Sequence, residues 1–167
     1  MEPFTVKRLQ PDQHLLLRDL RLRALKDMPS AFGSNYERES ALDDKGWQDK
    51  AAQWTRPSRS AVWTAARGEA VVGLVAGSID AADHKRCWLL SMWVCPSARQ
   101  RGIARELIRH VIRWSESLAL NEVCLHVTSN NVPAQRLYSS QGFQLTGRSI
   151  PHPHEAGLIE LEMCQTL

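Results

Sequence analysis

Apolar positions along the chain follow two periods, and each period predicts a different element. Alternating or continuous apolar runs predict seven strands, at residues 4–9, 61–66, 70–79, 87–94, 122–128, 143–147 and 158–163. Helical spacing predicts helices from Gln13 to Pro29, at 102–118 and at 133–140, with one or two short helices within 37–54. The elements alternate between strands and helices without internal repeats, which predicts an α/β fold.

The middle of the chain carries the sharpest pattern. Residues 87–94 are almost wholly apolar, so this strand is expected at the centre of the sheet, buried on both faces. The helix that follows has its apolar residues at helical spacing, and residues 122–128 form the next strand. Such a strand–helix–strand unit predicts two parallel strands joined by a right-handed crossover.

The junction between that central strand and its helix predicts an anion-binding site. The first N–H groups of a helix have no partner within it, and they lie at the positive end of the helix dipole. Gly102 and Ala104 are small enough for a phosphate to approach the backbone, and Arg99 and Arg101 add positive charge. The segment is neither a Walker loop nor G-x-G-x-x-G. A solvated basic turn is the alternative interpretation.

Two motifs carry a resemblance to a known family. Arg99-x-x-Gly102-x-Ala104 resembles the acetyl-CoA motif, (Q/R)-x-x-G-x-(G/A), of the GNAT superfamily of N-acetyltransferases. The run from Asn131 to Phe143 is similar to the family's N-x-x-A-x-x-L-Y-x-x-x-G-F segment. The resemblance covers residues 61–165 well and is only topological for residues 1–60.

The resemblance implies a fold and an activity. The fold would be a mixed, mostly antiparallel sheet with central, splayed parallel strands and helices on both faces, forming a single N-acetyltransferase domain over residues 1–167. The activity would be direct transfer of an acetyl group from acetyl-CoA, the cosubstrate, to a primary amine of a small molecule or peptide. No metal is expected to take part.

The same resemblance implies roles for individual residues. Main-chain groups near the end of the central strand would pair with the pantetheine arm, and the loop amides would hold the pyrophosphate. The implied cofactor-binding residues are Met92, Trp93, Val94, Arg99, Gln100, Arg101, Gly102, Ile103, Ala104 and Asn131. Tyr138 would protonate the departing thiolate as general acid. The alternatives are core packing for Tyr138 and a helix N-cap for Asn131.

The base that deprotonates the acceptor is a separate hypothesis, because relatives place their bases at different positions. His126 lies on the strand beside the implied cofactor gap, where a neutral imidazole can accept a proton near pH 7. Glu37, Glu39 and Glu160 are alternatives. The acceptor is expected to bind between residues 29–56 and 147–157, and its identity stays open.

Composition limits the other function classes. A net charge of +3 is too small to indicate nucleic acid by itself, and no apolar run approaches a membrane span. The N-terminal residues do not resemble a signal peptide, so a cytoplasmic chain is expected, and a homodimer is left open.

His152 and His154 are expected in a solvated loop. Four widely spaced cysteines without a C-x-x-C pair are expected to be reduced: Cys87, Cys95, Cys124 and Cys164.

One other catalytic mechanism and two other functions are alternatives to direct acetyl transfer. One is a cysteine relay through Cys95 or Cys124, and another is a CoA-binding module without catalysis. A third is nucleic-acid binding through arginines that recur every four residues from Arg101 to Arg113. The presence of both Tyr138 and Asn131 favours catalysis.

Overall fold

A seven-stranded mixed sheet runs through the protein, seen here in a computed structural model that describes residues 3–167. Met1 and Glu2, the start of the segment tested above for a signal peptide, lie outside the described residues. The strand order is β1-β2-β3-β4-β5-β7-β6. The strands are β1 (Thr5–Arg8), β2 (Ser60–Arg67), β3 (Ala70–Ile79), β4 (Arg86–Val94), β5 (Glu122–Thr128), β6 (Gln144–Pro151) and β7 (Ile159–Thr166).

Five α-helices complete the described fold: α1 (His14–Asp27), α2 (Tyr36–Ser40), α3 (Asp44–Trp54), α4 (Ile103–Ser117) and α5 (Val132–Ser140). The two short helices expected within 37–54 form because Asn35 and Asp43 cap them, each accepting a backbone N–H through its side chain. A 3-10 turn occupies Pro29–Ala31. Among residues 3–167, no helix has the length and apolar character needed to cross a membrane.

Helices cover both faces of the sheet, as the family resemblance implied. On one face α4 buries Leu107 and Val111 against the central strands. On the other face α1 buries Leu17 and Leu20, and α3 buries Trp47. The sheet is mostly antiparallel, with β4 and β5 as its parallel pair. The predicted fold class and element order are therefore confirmed.

The parallel pair separates soon after it begins. β4 and β5 pair only where Arg86–Trp88 meets Glu122–Cys124. Beyond that point β4 has a register irregularity, where Ser91 takes a positive φ of 56°. The expectation that β4 is buried on both faces is wrong at Leu90, which is 45% exposed. The separation removes the neighbour that would cover it.

A disulfide corrects the expectation for two of the four cysteines. Cys124 of β5 and Cys164 of β7 are directly opposite each other, with their Cα atoms 4.1 Å apart, and form a disulfide. Cys87 and Cys95 are free thiols. The spacing of the cysteines along the sequence could not predict this disulfide. The two cysteines are 40 residues apart, and only the antiparallel register of β5 with β7 brings them together.

Candidate active site

A cavity of about 910 Å³ lies where β4 and β5 separate, and residues from both faces of the sheet line it. Its wall on the α4 side includes Gln100, Ala104, Asn131 and Tyr138. Its wall on the α1 side includes Arg21, Phe32, Arg38, Glu39, Lys50 and Trp54. Between these walls lie residues 89–94 of β4, His126 of β5 and Glu160 of β7. The gap can therefore bring together ligands that approach from opposite faces.

A row of main-chain amides without partners marks the α4 side. Within the described structure, the N–H groups of residues 100–105 donate to no carbonyl and to no side chain. Gln100 and Gly102 have positive φ values of 59° and 81°, which turn the chain into α4. A Cβ built on Gly102 would meet nothing within 4 Å, so the loop is open at this point. Consecutive free amides in such a turn form a concavity that suits an anion.

The two arginines near this loop, Arg99 and Arg101, have different surroundings. Arg99 donates from Nε to the Val94 carbonyl at 2.9 Å and pairs with Asp27 through Nη2. Asp27 also accepts a hydrogen bond from Trp93 Nε1 at 2.8 Å. The Arg99 guanidinium therefore holds α1 against the end of β4, and Arg99 also lines the cavity, so its expected contribution of charge to an anion stays a prediction. Arg101 is exposed beside the loop.

The other implied cofactor-binding residues differ in their access to the cavity. Ile103 buries its side chain in the core beneath α4, so its amide alone faces the loop. Met92, Trp93 and Val94 line the cavity. They lie on the part of β4 that no longer pairs with β5.

Asn131 caps α5 and also borders the cavity. Its Oδ1 accepts a hydrogen bond from the Ala134 amide at 3.2 Å, which is the N-cap alternative stated above. Its side-chain NH2 group has no partner in the described part of the chain. The cap holds the Asn131 side chain in place and leaves two donors for a ligand.

Tyr138 lies on α5 at the cavity wall, with 8% of its surface exposed. Its ring packs edge-on against Phe143 at 5.9 Å. The phenolic oxygen makes no hydrogen bond to any residue from 3 to 167. Burial raises the pKa of Tyr138 above its ordinary value of 10.0, so the phenol stays protonated at neutral pH. The side chain contributes to packing and also presents a proton to the cavity.

His126 reaches the cavity from β5. Its ring stacks on Trp88 with centroids 4.8 Å apart, and its Nε2 lies 3.9 Å from an oxygen of Glu162. Glu162 also accepts hydrogen bonds from Thr146 and Arg148. Burial raises the pKa of Glu162, but the hydrogen bonds from Arg148 and Thr146 outweigh it and lower the pKa overall. His126 therefore has an ionised carboxylate on one side and the cavity on the other.

The three glutamates proposed as alternative bases have different surroundings. Glu37 is exposed and is not part of the cavity wall. Glu39 is buried and accepts hydrogen bonds of 2.9–3.2 Å from the Arg21 guanidinium. Glu160 is only 9% exposed, lines the cavity and has no ion-pair or hydrogen-bond partner for its carboxylate among the described residues. Of the three, Glu160 has a carboxylate that lines the cavity without a partner, and its oxygens are not buried.

Sequence reasoning named Glu39 but missed the cations Arg21, Arg38 and Lys50 on the α1 side, although α1 contained a signal. Arg21 lies four residues from both Leu17 and Leu25, which places it on the buried face of the helix. Its guanidinium also donates to Ser91 Oγ at 3.1 Å and lies over the rings of Phe32 and Trp54 at 5.0 and 5.4 Å. An arginine at a core position of an amphipathic helix indicates a buried partner or a site.

The loop between β6 and β7 contacts residues 30 and 33, and Gly33 lines the cavity, whereas no residue of the loop itself does. His152 is buried, and its Nε2 lies 2.8 Å from the Ser30 carbonyl, while its Nδ1 accepts the His154 amide at 3.2 Å. The His154 ring contacts the Gly33 carbonyl at 3.0 Å. The expected solvated loop is therefore wrong at His152, because contacts with residues far away in sequence bury it. We name the loop from 152 to 155, together with residues 29–33, the clasp.

The cysteines are poorly placed for a relay. Cys124 has no free thiol in the disulfide, and Cys95 is not part of the cavity wall. The group of possible metal ligands found in residues 3–167 comprises Glu122, Cys124 and Cys164, two of which are joined in that disulfide.

Comparison with known proteins agrees with this geometry. The acetyltransferase (GNAT) family matches residues 22–143, so the chain belongs to that family. A GNAT-family acetyltransferase from Streptococcus pneumoniae aligns over 99% of both chains with a TM-score of 0.84 at 15% identity. A Salmonella typhimurium structure solved with its cofactor acetyl-CoA has a TM-score of 0.78 at 16% identity and covers 98% of this chain and 94% of its own.

Among curated proteins, the chain is similar to human N-acetyltransferase 8, with 35% identity over 94 residues, which is 54% of this chain and 41% of that protein. It is also 35% identical over 63 residues to an aminoglycoside N(6')-acetyltransferase type 1 of Salmonella typhimurium, covering 38% of this chain and 43% of that protein. The chain thus spans less than half the length of these two relatives.

Proposed function

We propose that this chain is a single-domain, acetyl-CoA-dependent N-acetyltransferase that transfers an acetyl group to a primary amine by direct attack. The observation that carries the proposal is the row of unpaired amides at residues 100–105, beside a cavity that continues through the gap between β4 and β5. This geometry supports an extended ligand with an anionic end at the loop and a reactive end in the gap.

Residues already described would hold acetyl-CoA. The amides of residues 100–105 would bind the pyrophosphate. Main-chain groups of residues 92–94 would pair with the pantetheine arm, because this part of β4 does not pair with β5. One of those amides would polarise the thioester carbonyl. Asn131 would offer its free NH2 group to the same ligand. Acetyl-CoA supplies the activated acetyl group.

Proton transfers accompany the exchange of bonds. A base first takes one proton from the acceptor ammonium, and the freed nitrogen lone pair forms the C–N bond at the thioester carbon. The C–S bond breaks as Tyr138 donates its phenolic proton to the departing sulfur. The nitrogen then loses a second proton, which restores the phenol through solvent. The products are an N-acetyl amide, the free thiol and one proton released to solvent.

Two residues of the cavity compete for the role of base. The pairing of β4 with β5 ends at Trp88 and Cys124, and beyond this point Met92, His126 and Thr128 line the same cavity. Glu160 is the cross-strand partner of Thr128 and lines this cavity as well, with no partner for its carboxylate among the described residues. We assign the base role to Glu160 and keep His126, the sequence-based hypothesis, as the alternative. The base must be deprotonated to act, so kcat/KM falls towards low pH, and the loss of this acidic limb in Glu160→Gln or in His126→Gln decides between them.

One experiment tests the proposed function directly. Acetyl-CoA should raise the melting temperature, and thiol release should require an amine. Gly102→Glu should abolish the shift because it places a carboxylate beside the free amides. Gly68→Glu is the matched control, since Gly68 also has a positive φ and open space around it but lies in the β2–β3 turn. An unchanged shift in folded Gly102→Glu contradicts the assignment. A shift without thiol release by any amine favours the non-catalytic binding module.

Location and assembly are proposed on narrower grounds. We propose a cytoplasmic location from composition. Reducing conditions there would favour the two thiols of Cys124 and Cys164 over their disulfide.

Every residue of the edge strand β6 is exposed, including Leu145 and Ile150, and this edge supports a homodimer. Light scattering of wild-type and Leu145→Lys protein measures the assembly.

A further inference from the structure

Charged groups on the α1 side of the cavity are arranged asymmetrically. Arg21 and Glu39 form a buried pair whose hydrogen bonds satisfy each other. Lys50 adds a second cation, with its Nζ 3.6 Å from the same carboxylate. One carboxylate thus faces two cations, and this cluster carries an excess positive charge.

A third cation lies at the same wall. Arg38 is exposed and lines the cavity, and its guanidinium has no carboxylate or ring partner among residues 3–167. Lys50 is 20% exposed at its side chain and lies over the Trp54 ring at 5.0 Å. Burial lowers the pKa of Lys50, although Glu39 acts in the opposite direction. An anion placed between Arg38 and Lys50 would therefore meet unmatched positive charge.

The opposite charge is found at the β7 side of the cavity. Glu160 is nine-tenths buried as a residue, lines the cavity and has no hydrogen-bond or ion-pair partner in the described protein. Its carboxylate oxygens are not among the buried, unpartnered atoms of the described residues, so they are accessible to a ligand. A cation bound by Glu160 would share the cavity with residues 92–94, where the thioester is proposed to bind. The cavity therefore offers a carboxylate on β7 and cations at the α2–α3 wall.

We propose that the acceptor is an amine that also carries a carboxylate, of the amino-acid class, with its ammonium group at Glu160 and its carboxylate at Arg38 and Lys50. This inference rests on the proposed acetyltransferase function and names its substrate class. A polyamine or an aminoglycoside would place a second ammonium group against Arg38 and Lys50, where like charges repel. The apolar residues Met28, Leu42 and Leu90 of the same cavity favour an apolar side chain on the acceptor.

Matched pairs of amines test the substrate class. L-phenylalanine, phenylalaninamide and 2-phenylethylamine share one apolar group, and only the first carries a carboxylate. The panel extends to the other standard amino acids, each paired with its amide. We expect kcat/KM to favour the acid over its amide by at least about tenfold, the effect of a charged hydrogen bond. The amide has the less basic amine and is more often neutral at pH 7, so intrinsic reactivity would produce the reverse order.

Charge variants connect this preference to the named residues. Lys50→Met and Arg38→Gln should each raise KM for the acid and leave KM for 2-phenylethylamine unchanged. Arg38→Glu should shift the preference towards a diamine. Lys45→Met is the matched control, because Lys45 lies on the same helix as Lys50 but at an exposed position outside the cavity. Preferences that are identical in all four variants overturn the proposed carboxylate site.

A binding measurement tests the acetyltransferase function and the acceptor class separately. In the presence of CoA, 3-phenylpropionate carries the carboxylate without the amine and should raise the melting temperature of the wild type but not of Lys50→Met. If acetyl-CoA itself produces no shift, the proposed acetyltransferase function fails. If acetyl-CoA binds but the acids have no advantage over the amides and 3-phenylpropionate has no effect, the substrate class is wrong and the enzyme assignment stands.

Discussion

The two sides of the cavity are made from different parts of the polypeptide. On the α4 side the candidate binding groups are main-chain amides of consecutive residues, 100–105. On the α1 side they are side chains from α1, α2, α3 and β7. The first side depends on local backbone conformation, and the second depends on how distant elements pack together.

This difference affects how each side responds to substitution. An amide is present whatever the side chain, so the α4 side is vulnerable mainly where φ is positive, as at Gly102. The α1 side contains a buried ion pair, and removing one partner leaves the other charge uncompensated. The α1 side should therefore link stability to acceptor binding, whereas the α4 side should not.

The largest expected effect tests the buried pair. Glu39→Leu leaves the Arg21 guanidinium, which is 4% exposed, without its carboxylate. We expect the free energy of unfolding to fall by about 3–5 kcal/mol, measured by urea denaturation. The control Glu37→Leu changes an exposed residue of the same short helix and should have little effect. Equal losses in the two variants would remove the contrast between the two sides of the cavity.

Tyr138→Phe tests the side of the cavity that bears the proposed acid. The substitution keeps the ring packing against Phe143 and removes the phenolic proton. We expect turnover to fall at least about tenfold, within the range of general acid catalysis, with little change in the affinity for acetyl-CoA. Tyr36→Phe is the control, because the other tyrosine of the chain lies outside this cavity. Unchanged turnover, when chemistry limits the rate, would assign Tyr138 to packing alone.

A smaller effect is expected from opening the clasp. His152→Ala removes the contacts to the Ser30 carbonyl and the His154 amide. We expect a loss of about 1–2 kcal/mol in stability and a higher KM for the acceptor, with the acetyl-CoA-induced shift retained. His84→Ala, at an exposed position between β3 and β4, provides the comparison. A weaker response to acetyl-CoA would show that the two sides are not independent.

The smallest effect concerns acid pH. Burial raises the pKa of Glu39, but the hydrogen bonds and charge of Arg21 and the charge of Lys50 outweigh it, so the pKa lies below its ordinary value of 4.5. A carboxyl whose pKa is lower in the folded state stabilises the protein above its unfolded pKa, and this contribution disappears as pH falls through the folded pKa. The stability difference between wild type and Glu39→Gln should therefore shrink below about pH 4.5. A difference independent of pH would contradict this linkage.

Patterns within single segments predicted most of the fold. Residues 122–128 were predicted as a strand with the bounds that β5 has in the structure, and the apolar spacing from Ile103 to Leu118 identified α4. The two family motifs predicted the loop at residues 99–104, one residue from the unpaired amides at 100–105, and the position of Tyr138 on α5. These features were accessible because each depends on neighbours along the chain.

Only the tertiary structure determined the features that join distant segments. The Cys124–Cys164 disulfide depends on the register of β5 with β7, and the burial of His152 depends on its contact with Ser30. Arg99 has the residue type expected of an anion ligand, yet Asp27, 72 residues away, engages its guanidinium. The sequence alone determined which segments form strands, helices and the amide loop, because periodicity and turn conformation are local. Packing decided which charges on the α1 side are paired and which remain available, because the balance of charge in a cavity depends on all the elements that surround it.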